Sequence, residues 1–167
     1  MRKPGAILGS VLFFLLAPGF VAGLAPWWIA GWRMGPPFLG LTLFRAAGIV
    51  CIALGTPALL DSFARFALRG RGTPAPVFPT RHLVVTGLYR YVRNPMYVGV
   101  LTVIVGQSLL LGDARVLAYG AVVWLAFSLF VVAYEEPTLR RIFGAEYDRF
   151  CAKVPRWIPR WPAWREE

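Results

Sequence analysis

Residues 89 to 97 combine polar, cationic and aromatic side chains immediately before an uncharged apolar run. Within them stands the sequence Arg93-Asn94-Pro95-Met96-Tyr97, and the pair Glu135-Glu136 closes the next apolar run. Guanidinium, phenol and carboxylate groups form strong hydrogen bonds with charged small molecules. If the two apolar runs are adjacent helices of opposite direction, both clusters lie at the same end and form a binding site.

The turn between those runs sets which residues face each other. With the turn at Gly112-Asp113-Ala114 and about 1.5 Å of rise per residue, Glu136 lies level with Arg90, to within one turn. Pro95 suits the first turn of a helix, and Asn94 is predicted to be its N-cap. The alternative is that the charged groups are only interfacial ion pairs and that the tyrosines form an aromatic belt at the membrane surface.

The composition indicates an integral membrane protein. Hydrophobic residues make up 57% of the 167 residues, the mean hydropathy is +0.58, and the apolar residues come in long runs. Four runs approach the roughly 20 residues that a spanning helix needs: 6–29, 38–60, 95–111 and 116–134. We expect the first to be a retained signal-anchor helix. The predicted fold class is all-α, an integral membrane helical bundle of four transmembrane helices with a short cytoplasmic C-terminal amphipathic helix at about 137–153.

The basic residues predict the orientation in the membrane. Of the 18 Lys and Arg residues, fifteen lie before residue 6, between 61 and 94, or after 136. By the positive-inside rule, both termini and the predicted site are then cytoplasmic. The membrane is expected to be of the prokaryotic inner-membrane type. The net charge of +10 also favours contact with anionic lipids. Nucleic acid is the weaker alternative and is not expected, because the basic residues lie beside apolar runs.

Neither a metal site nor a disulfide is expected. Cys51 falls in the second apolar run and Cys151 in the C-terminal segment, so the two thiols do not meet. His82 is the only histidine, which leaves too few ligands for a zinc site. A catalytic Cys–His pair stays open in principle, but both cysteines are expected to be bystanders. The Gly- and Pro-rich loop 70–80 is expected to be extended, either as ligand-binding backbone or as a spacer.

Taken together, these motifs resemble the isoprenylcysteine carboxyl methyltransferase and phospholipid methyltransferase group of integral membrane enzymes. Their pattern is Arg-His-Pro-x-Tyr-x-Gly, followed one hairpin later by Glu-Glu and then by a short amphipathic helix. Here the elements of the pattern are Arg93-Asn94-Pro95-Met96-Tyr97-Val98-Gly99, Glu135-Glu136, Leu139, Phe143-Gly144, Tyr147, Val154-Pro155-Arg156 and Pro159. The resemblance covers about 72–159 and suggests a member of prokaryotic type.

The resemblance implies an S-adenosylmethionine site at the cytoplasmic face. The residues that it assigns to cofactor binding are Arg81, His82, Leu83, Val84, Tyr89, Asn94, Pro95, Met96, Tyr97, Gly99, Glu135 and Glu136. Those that it points to for catalysis are Glu135, Arg93 and Arg156. The chemistry agrees, because a sulfonium and an ammonium group favour carboxylates and aromatic faces, and a carboxylate favours a guanidinium. Methyl transfer is an in-line displacement, so positioning and desolvation supply most of the rate enhancement.

On this interpretation the chain is a single membrane domain in four parts. Residues 1–69 hold the first two helices, 70–94 the cytoplasmic cofactor loop, 95–136 the catalytic hairpin, and 137–167 the cytoplasmic helix and the tail. The expected partners are membrane lipids and a lipophilic small-molecule or lipid substrate.

The tail at 154–167 alternates tryptophan, arginine and proline. Proline at this density prevents a helix, and Trp beside Arg is typical of an anchor at the membrane interface. We expect the tail to be such an anchor, with Arg156 as the exception. Its position matches the tail pattern of the family, and it could fold back over the site.

Two departures from the family pattern bear on the methyl acceptor. Asn94 replaces the usual His and cannot act as a base. Val132 stands where the isoprenylcysteine enzymes carry an Arg that helps to bind the substrate carboxylate. The acceptor is therefore expected to be a lipophilic thiol or a lipid amine before a carboxylate, with Glu135 available to take a proton from an amine.

An NADPH-dependent membrane reductase of the steroid or sterol reductase type is the alternative function. Those enzymes end with a similar Arg-x-Pro-x-Tyr-x-Gly element, in which an acidic residue typically follows the glycine. Here Val100 follows Gly99, and the Glu135-Glu136 pair fits the methyltransferases better. A non-catalytic membrane scaffold is the third possibility.

Overall fold

The computed structural model describes residues 17–69, 83 and 85–165, and every regular element in those ranges is helical. The α-helices are α1 (Ala25–Ala30), α2 (Leu43–Arg69), α3 (Pro95–Leu111), α4 (Ala114–Phe130), α5 (Glu136–Phe143) and α6 (Ala145–Lys153). Shorter turns are π-helical at Phe20–Leu24 and Val131–Glu135 and 3₁₀ at Phe38–Gly40 and Gly87–Arg90. The all-α class is confirmed over the described residues. Of the first predicted span, residues 6–16 lie outside them.

Helices α2 and α3 pack backbone to backbone through glycines. A Cβ on Gly48 would lie 2.6 Å from the carbonyl oxygen of Gly106, and one on Gly99 would lie 3.2 Å from that of Gly55. Small residues at facing positions let two helices approach closely in an apolar environment. The start of α3, which carries the predicted site, is thereby held against α2.

The turn between α3 and α4 lies at residues 112–113, as predicted. Gly112 closes α3 at a φ of +68°, a conformation that favours glycine, and a Cβ there would overlap the carbonyl group of Pro36. Asp113 caps α4, because its carboxylate accepts the backbone N–H of Arg115 at 2.8 Å. The Arg115 side chain binds the same carboxylate and lowers the pKa of Asp113. The two helices thus form the expected hairpin.

The segment before α1 is attached to this hairpin by two polar side chains. Nε2 of Gln107 donates to the carbonyl of Ala22 at 2.6 Å, and the hydroxyl of Tyr119 donates to that of Val21 at 2.9 Å. Both carbonyls belong to the π-helical turn before α1. Backbone acceptors at such irregular turns need partners where no water is present. These two bonds therefore suit a helix junction inside an apolar environment.

Two helical segments are long and apolar enough to span a membrane, Leu43–Arg65 and Ala114–Phe143, and two shorter apolar helices are Phe20–Ala30 and Pro95–Leu111. Exposed large apolar side chains cover α2 and α4, and they include Leu43, Ile49, Val50, Leu54, Leu60, Leu117, Val122, Trp124, Leu125 and Leu129. A continuous apolar surface of this kind is unfavourable in water and favourable in lipid. The described residues therefore have the outer surface expected of a membrane protein, while the count of four spans stays a prediction.

Helix α2 is displaced along the chain from the predicted run at 38–60. Leu39 has a φ of +53° inside the preceding 3₁₀ turn, so the regular helix begins only at Leu43. At its other end, Nε of Arg65 donates to the carboxylate of Asp61 at 2.7 Å. Such an i,i+4 pair favours helix beyond the last apolar residues. The structure consequently extends α2 past the predicted boundary to Arg69.

Pro137 does not end the helix that begins at Ala114. A π-helical turn follows α4 at Val131–Glu135, and the backbone N–H of Glu136 donates five residues back, to the carbonyl of Val131. The backbone stays helical through Glu135 and Glu136, and Pro137 follows at the start of α5, where the wider π-helical turn accommodates its missing N–H. One long helical segment therefore carries both glutamates.

The short helix predicted at about 137–153 is two helices in the structure. Gly144, at a φ of +52°, separates α5 from α6. Tyr147 and Phe150 on α6 are buried and pack with Val154 in a small apolar cluster. This cluster fixes the end of α6 and so the start of the tail.

Candidate active site

Glu136 lies at the centre of the predicted site, and only 4% of its surface is exposed. Its Oε1 accepts hydrogen bonds from Nη1 of Arg93 at 3.1 Å and from Nε of Arg156 at 2.6 Å. Its Oε2 accepts a second bond from Arg156 at 3.1 Å and lies 3.6 Å from Nη2 of Arg140. A buried carboxylate is tolerated only with such partners. Glu136 therefore joins α5 to the segment before α3 and to the tail.

Arg93 is held at the junction of those elements by further contacts. Its Nη1 also lies 2.9 Å from Sγ of Cys151 on α6, and its backbone N–H donates to the carbonyl of Pro155 at 2.9 Å. The Nε of Arg93 is buried and has no hydrogen-bond partner among the described residues. A buried unpaired donor is costly, and it is the kind of group that a bound anion satisfies.

Glu135 has different surroundings from its neighbour. The hydroxyl of Tyr97 donates to Oε2 of Glu135 at 3.0 Å, and no described residue donates to Oε1. The Tyr97 ring lies 4.5 Å from that of Phe127 and 6.5 Å from that of Trp157, measured between centroids. A carboxylate with a free oxygen beside several aromatic rings is an environment that suits an organic cation.

The tail packs along the segment that precedes α3. The backbone N–H of Arg160 donates to the carbonyl of Tyr91 at 2.8 Å, and that of Trp164 donates to the carbonyl of Arg90 at 2.9 Å. Together with the Pro155 bond, these contacts run antiparallel to residues 90–93. Arg156 folds back onto Glu136, in agreement with the possibility that the resemblance raised. No helix forms in 154–165, and Trp161 is 85% exposed, so an additional role as an interfacial anchor stays a prediction.

The predicted N-cap at Asn94 is wrong in one respect. Asn94 occupies the N-cap position of α3, but its side chain makes no capping hydrogen bond. Its Nδ2 donates instead to the backbone carbonyl of Arg156 at 3.1 Å, and the side chain is buried. Donation by Nδ2 to the tail fixes the direction of the side chain, and its oxygen accepts no backbone N–H from the first turn of α3. Asn94 therefore positions the residue that binds Glu136.

The protonation states follow from these contacts. The hydrogen bonds to Glu136 raise the pKa of the Arg156 guanidinium. Burial raises the pKa of the Tyr147 phenol, and contact with Cys151 raises it further. Burial likewise raises the pKa of Tyr89 well above its usual value. At neutral pH the arginine is therefore charged and both phenols keep their protons.

The structure brings together Arg93, Asn94, Tyr97, Glu135, Glu136 and Arg156. Of the other predicted site residues, Pro95 is buried at the start of α3, and Met96 packs against the apolar core that includes Val100 and Ile104. Gly99 lies so close to α2 that a Cβ on it would be 3.1 Å from the backbone nitrogen of Leu59. Tyr89 is buried, and Leu83 packs against the cluster around Tyr147. Arg81, His82 and Val84 lie outside the described residues.

Several residues of the site were not predicted from the sequence. Cys151 was expected to be a bystander, yet it contacts Arg93. Trp157 and Phe127 both lie beside Tyr97. The hairpin geometry contains a signal for Phe127, because counting equally from the turn places it within one helical turn of the level of Tyr97. No pattern in the sequence connects Cys151 or Trp157 to the site, since their positions depend on the path of the tail.

Within the part of the chain that the structure describes, no group of three or more His, Cys, Asp and Glu side chains could hold a metal ion. The polar groups that converge are guanidinium, carboxylate, phenol and amide. Such a set suits an organic ligand that carries charges of both signs.

Known proteins show the class to which this arrangement belongs. A model of the phospholipid methyltransferase family matches residues 43–146, which is more than half of the chain. The match includes α2, the hairpin and both glutamates. The chain therefore belongs to the phospholipid methyltransferase family, and the resemblance drawn from the sequence is confirmed.

Curated proteins that are similar to this chain include several isoprenylcysteine O-methyltransferases. Protein-S-isoprenylcysteine O-methyltransferase B of Arabidopsis thaliana is 31% identical over 157 residues, which is 92% of this chain and 72% of the relative. Protein-S-isoprenylcysteine O-methyltransferase of Schizosaccharomyces pombe is 41% identical over 80 residues, 47% of this chain and 34% of the relative. A probable enzyme of the same name from Oryza sativa subsp. indica is 37% identical over 84 residues, 49% of this chain and 44% of the relative.

The matches to the yeast and rice proteins thus span less than half the length of those relatives. No solved structure matches the chain.

Proposed function

We propose that this protein is an S-adenosylmethionine-dependent methyltransferase that transfers a methyl group to a lipophilic or membrane-embedded acceptor. The observation that carries the proposal is the convergence of Tyr97–Glu135 and Arg93–Glu136–Arg156 at one end of the hairpin, in a chain of the phospholipid methyltransferase family. These residues are distant in sequence and meet only in the folded chain. Four spanning helices, cytoplasmic termini and a cytoplasmic site are part of the same proposal.

The residues present fit the charges of S-adenosylmethionine. Glu135 offers a free carboxylate oxygen next to the Tyr97 ring, which suits the ammonium or the sulfonium group. Arg93 offers a buried Nε without a described partner, which suits the carboxylate. When bound, the cofactor supplies a methyl group activated by the sulfonium. The protein then has to hold the acceptor in line with that methyl group and exclude water.

The two glutamates have separate tasks in this proposal. Glu136 already accepts hydrogen bonds from Arg93 and Arg156, so it positions these arginines and contributes negative charge at the site. Glu135 is the carboxylate with an oxygen left to accept a bond from the cofactor or a proton from an amine acceptor. Direct contact of Glu136 with the cofactor, as the resemblance implies, stays part of the proposal.

The rest of the cofactor site rests on the resemblance. We infer that Arg81, His82, Leu83, Val84 and Tyr89 line the adenosine side, and that the stretch from Asn94 to Tyr97 with Gly99 forms the mouth of the site. Support for this comes from Leu83, which packs against the cluster around Tyr147, and from Tyr89, which is buried in the 3₁₀ turn shortly before Arg93.

The acceptor class follows from what the site lacks. The relatives act on protein isoprenylcysteine according to their names. Here Val132 replaces the arginine for the substrate carboxylate, is 52% exposed and lies on the outer surface of the helical segment. The preferred acceptor is therefore a lipophilic thiol or a lipid amine that enters sideways from the membrane, with a carboxylate as the less favoured option.

Isothermal titration of the detergent-solubilised protein with S-adenosylmethionine and with NADPH separates the alternatives. We expect heat of binding with S-adenosylmethionine only. Binding of NADPH alone would support a membrane reductase, and binding of neither would support a scaffold. Membranes incubated with methyl-labelled cofactor should then carry the label in the lipid extract, whereas label confined to water-soluble products or protein carboxyl esters would contradict the proposed acceptor.

A further inference from the structure

A second polar cleft lies outside the proposed methyl-transfer site. It has a volume of about 430 Å³ and is formed by the C-terminal part of α2, residues 85–90 and the end of the tail. Its polar lining consists of Arg65, Arg90, Arg165 and Thr86, with Gly87 and Trp164 beside them. None of these residues takes part in the contacts around Glu136 and Tyr97.

Among the described residues, those that line the cleft carry an excess of positive charge. Arg65 is paired with Asp61 at 2.7 Å, and Asp61 does not line the cleft. Arg90 uses only its Nε, which donates to the carbonyl of Trp164 at 2.7 Å, so its terminal nitrogens stay available. Arg165 is exposed and forms no ion pair with a described residue. No acidic residue among the described residues lines the cleft, which therefore favours an anion.

The floor of the cleft is built to bring donors together. Gly87 has a φ of +58°, and the Arg65 guanidinium lies against it so closely that a Cβ at this position would overlap Nε and Cζ of Arg65. Beside it, Oγ1 of Thr86 is buried and has no hydrogen-bond partner among the described residues. A buried hydroxyl without a hydrogen-bond partner is unfavourable unless a bound ligand forms a hydrogen bond with it. Three guanidinium groups and one hydroxyl are donors that a phosphate group can use together.

The cleft lies near the end of α2, at the level where a spanning helix meets the lipid head groups. Arg65 lies about one turn before the C-terminal end of α2, a helix whose apolar part is long enough to span a membrane, and Trp164 packs on Phe150 with 5.8 Å between ring centroids. Trp and Arg side chains collect at the interface between lipid and water, and arginine near a helix end reaches towards phosphates.

We propose that the cleft formed by Arg65, Thr86, Arg90 and Arg165 binds a phosphate group, at a site separate from that of methyl transfer. The group comes either from the head group of an anionic lipid or from a soluble phosphate. Residues 85–90 of the cleft belong to the segment 70–94 that the resemblance assigns to the cofactor loop, but none of the lining residues is one that it assigns to cofactor binding. The inference therefore does not depend on the proposed methyltransferase activity.

Titration of the delipidated full-length protein in non-ionic detergent tests the proposal. The ligands are short-chain phosphatidic acid, phosphatidylcholine of the same chain length, and inorganic phosphate. The variants are Arg165→Gln and the double variant Arg65→Gln/Arg165→Gln. Arg149→Gln is the matched control, because it removes one exposed positive charge from α6, outside the cleft.

We expect the double variant to weaken the binding of the phosphate-bearing ligand about tenfold or more, which corresponds to about 1.4 kcal/mol. The control should bind as the wild type does. Tighter binding of phosphatidic acid than of inorganic phosphate would identify a lipid head group as the source, and comparable binding of both would identify a soluble phosphate.

The proposal is overturned if the double variant and the wild type bind alike, or if Arg149→Gln weakens binding as much as Arg165→Gln does. Equal binding of phosphatidylcholine and phosphatidic acid, unaffected by the variants, would also overturn it. If the loss of the Asp61 pair prevents folding of the double variant, Thr86→Val/Arg165→Gln carries the same test, because it leaves that ion pair in place.

Discussion

Glu135 and Glu136 are adjacent in the chain, yet their environments assign them different roles. Glu136 is buried among guanidinium groups. One carboxylate oxygen of Glu135 accepts a hydrogen bond from the phenol of Tyr97, whereas its other oxygen accepts none from a described residue. Substitution by the isosteric glutamine is therefore expected to change cofactor binding alone at Glu135, and both stability and cofactor binding at Glu136.

The change Glu135→Gln should weaken the affinity for S-adenosylmethionine by about 1.5 to 3 kcal/mol, the range of a hydrogen bond to a charged group. Its unfolding temperature should stay close to that of the wild type, because Tyr97 can still donate to the amide oxygen. Calorimetric titration and thermal unfolding in the same detergent measure both quantities. Normal cofactor affinity in the folded variant would remove Glu135 from the site.

The change Glu136→Gln should lower both stability and cofactor affinity. It leaves Arg93 and Arg156 without a buried counter-charge, which costs roughly 3 to 5 kcal/mol when one partner of such a pair is removed. A double-mutant cycle with Arg156→Gln measures the coupling, and Arg141→Gln on the exposed side of α5 is the control. Additive effects of Glu136→Gln and Arg156→Gln would mean that the ion pair is not formed in the protein.

At the scale of elements, the closest contact is that between α2 and α3. Gly48 faces the backbone of Gly106 and Leu110, which cannot move aside as a side chain could. We expect Gly48→Ala to destabilise the protein by about 1 to 3 kcal/mol, as overpacking commonly does. Since α3 carries Tyr97, we expect the affinity for S-adenosylmethionine to fall together with the stability of this variant.

Gly23→Ala is the matched control for that change, because a Cβ on Gly23 would meet nothing within 4 Å. Thermal unfolding of both variants in one detergent provides the comparison. Equal stability of Gly48→Ala and Gly23→Ala would show that α2 and α3 are further apart than in the structure.

At the scale of the whole molecule, the outward-facing apolar helices and the distribution of basic residues predict which ends face the cytoplasm. Arg115, in the turn between α3 and α4, is 71% exposed, and Arg149 on α6 is also exposed. In a background without native thiols, a membrane-impermeant thiol reagent applied to intact cells should label Arg115→Cys only. Arg149→Cys should require permeabilised cells, and labelling of both from one side would contradict the four-span topology.

Local patterns were sufficient to predict part of the site. The uncharged runs, the turn at residues 112–113 and the polar residues at the ends of two adjacent helices together placed Arg93 and Tyr97 near the glutamates, and the structure confirms that proximity. The predicted boundaries of the helices were less accurate. Helix α2 begins later than the apolar run because of the left-handed Leu39, which no periodicity reveals.

The amino-acid sequence by itself determined the helical class, the apolar surface and the end of the molecule at which the charged groups meet, because these depend on composition and helical repeat. The tertiary structure alone decided which glutamate is enclosed by arginines, how the tail returns along residues 90–93, and that Cys151 contacts Arg93. Those contacts join residues far apart in the chain. They depend on the π-helical turn at Val131–Glu135 and on the packing around Val154, and these set side-chain directions that local sequence does not encode.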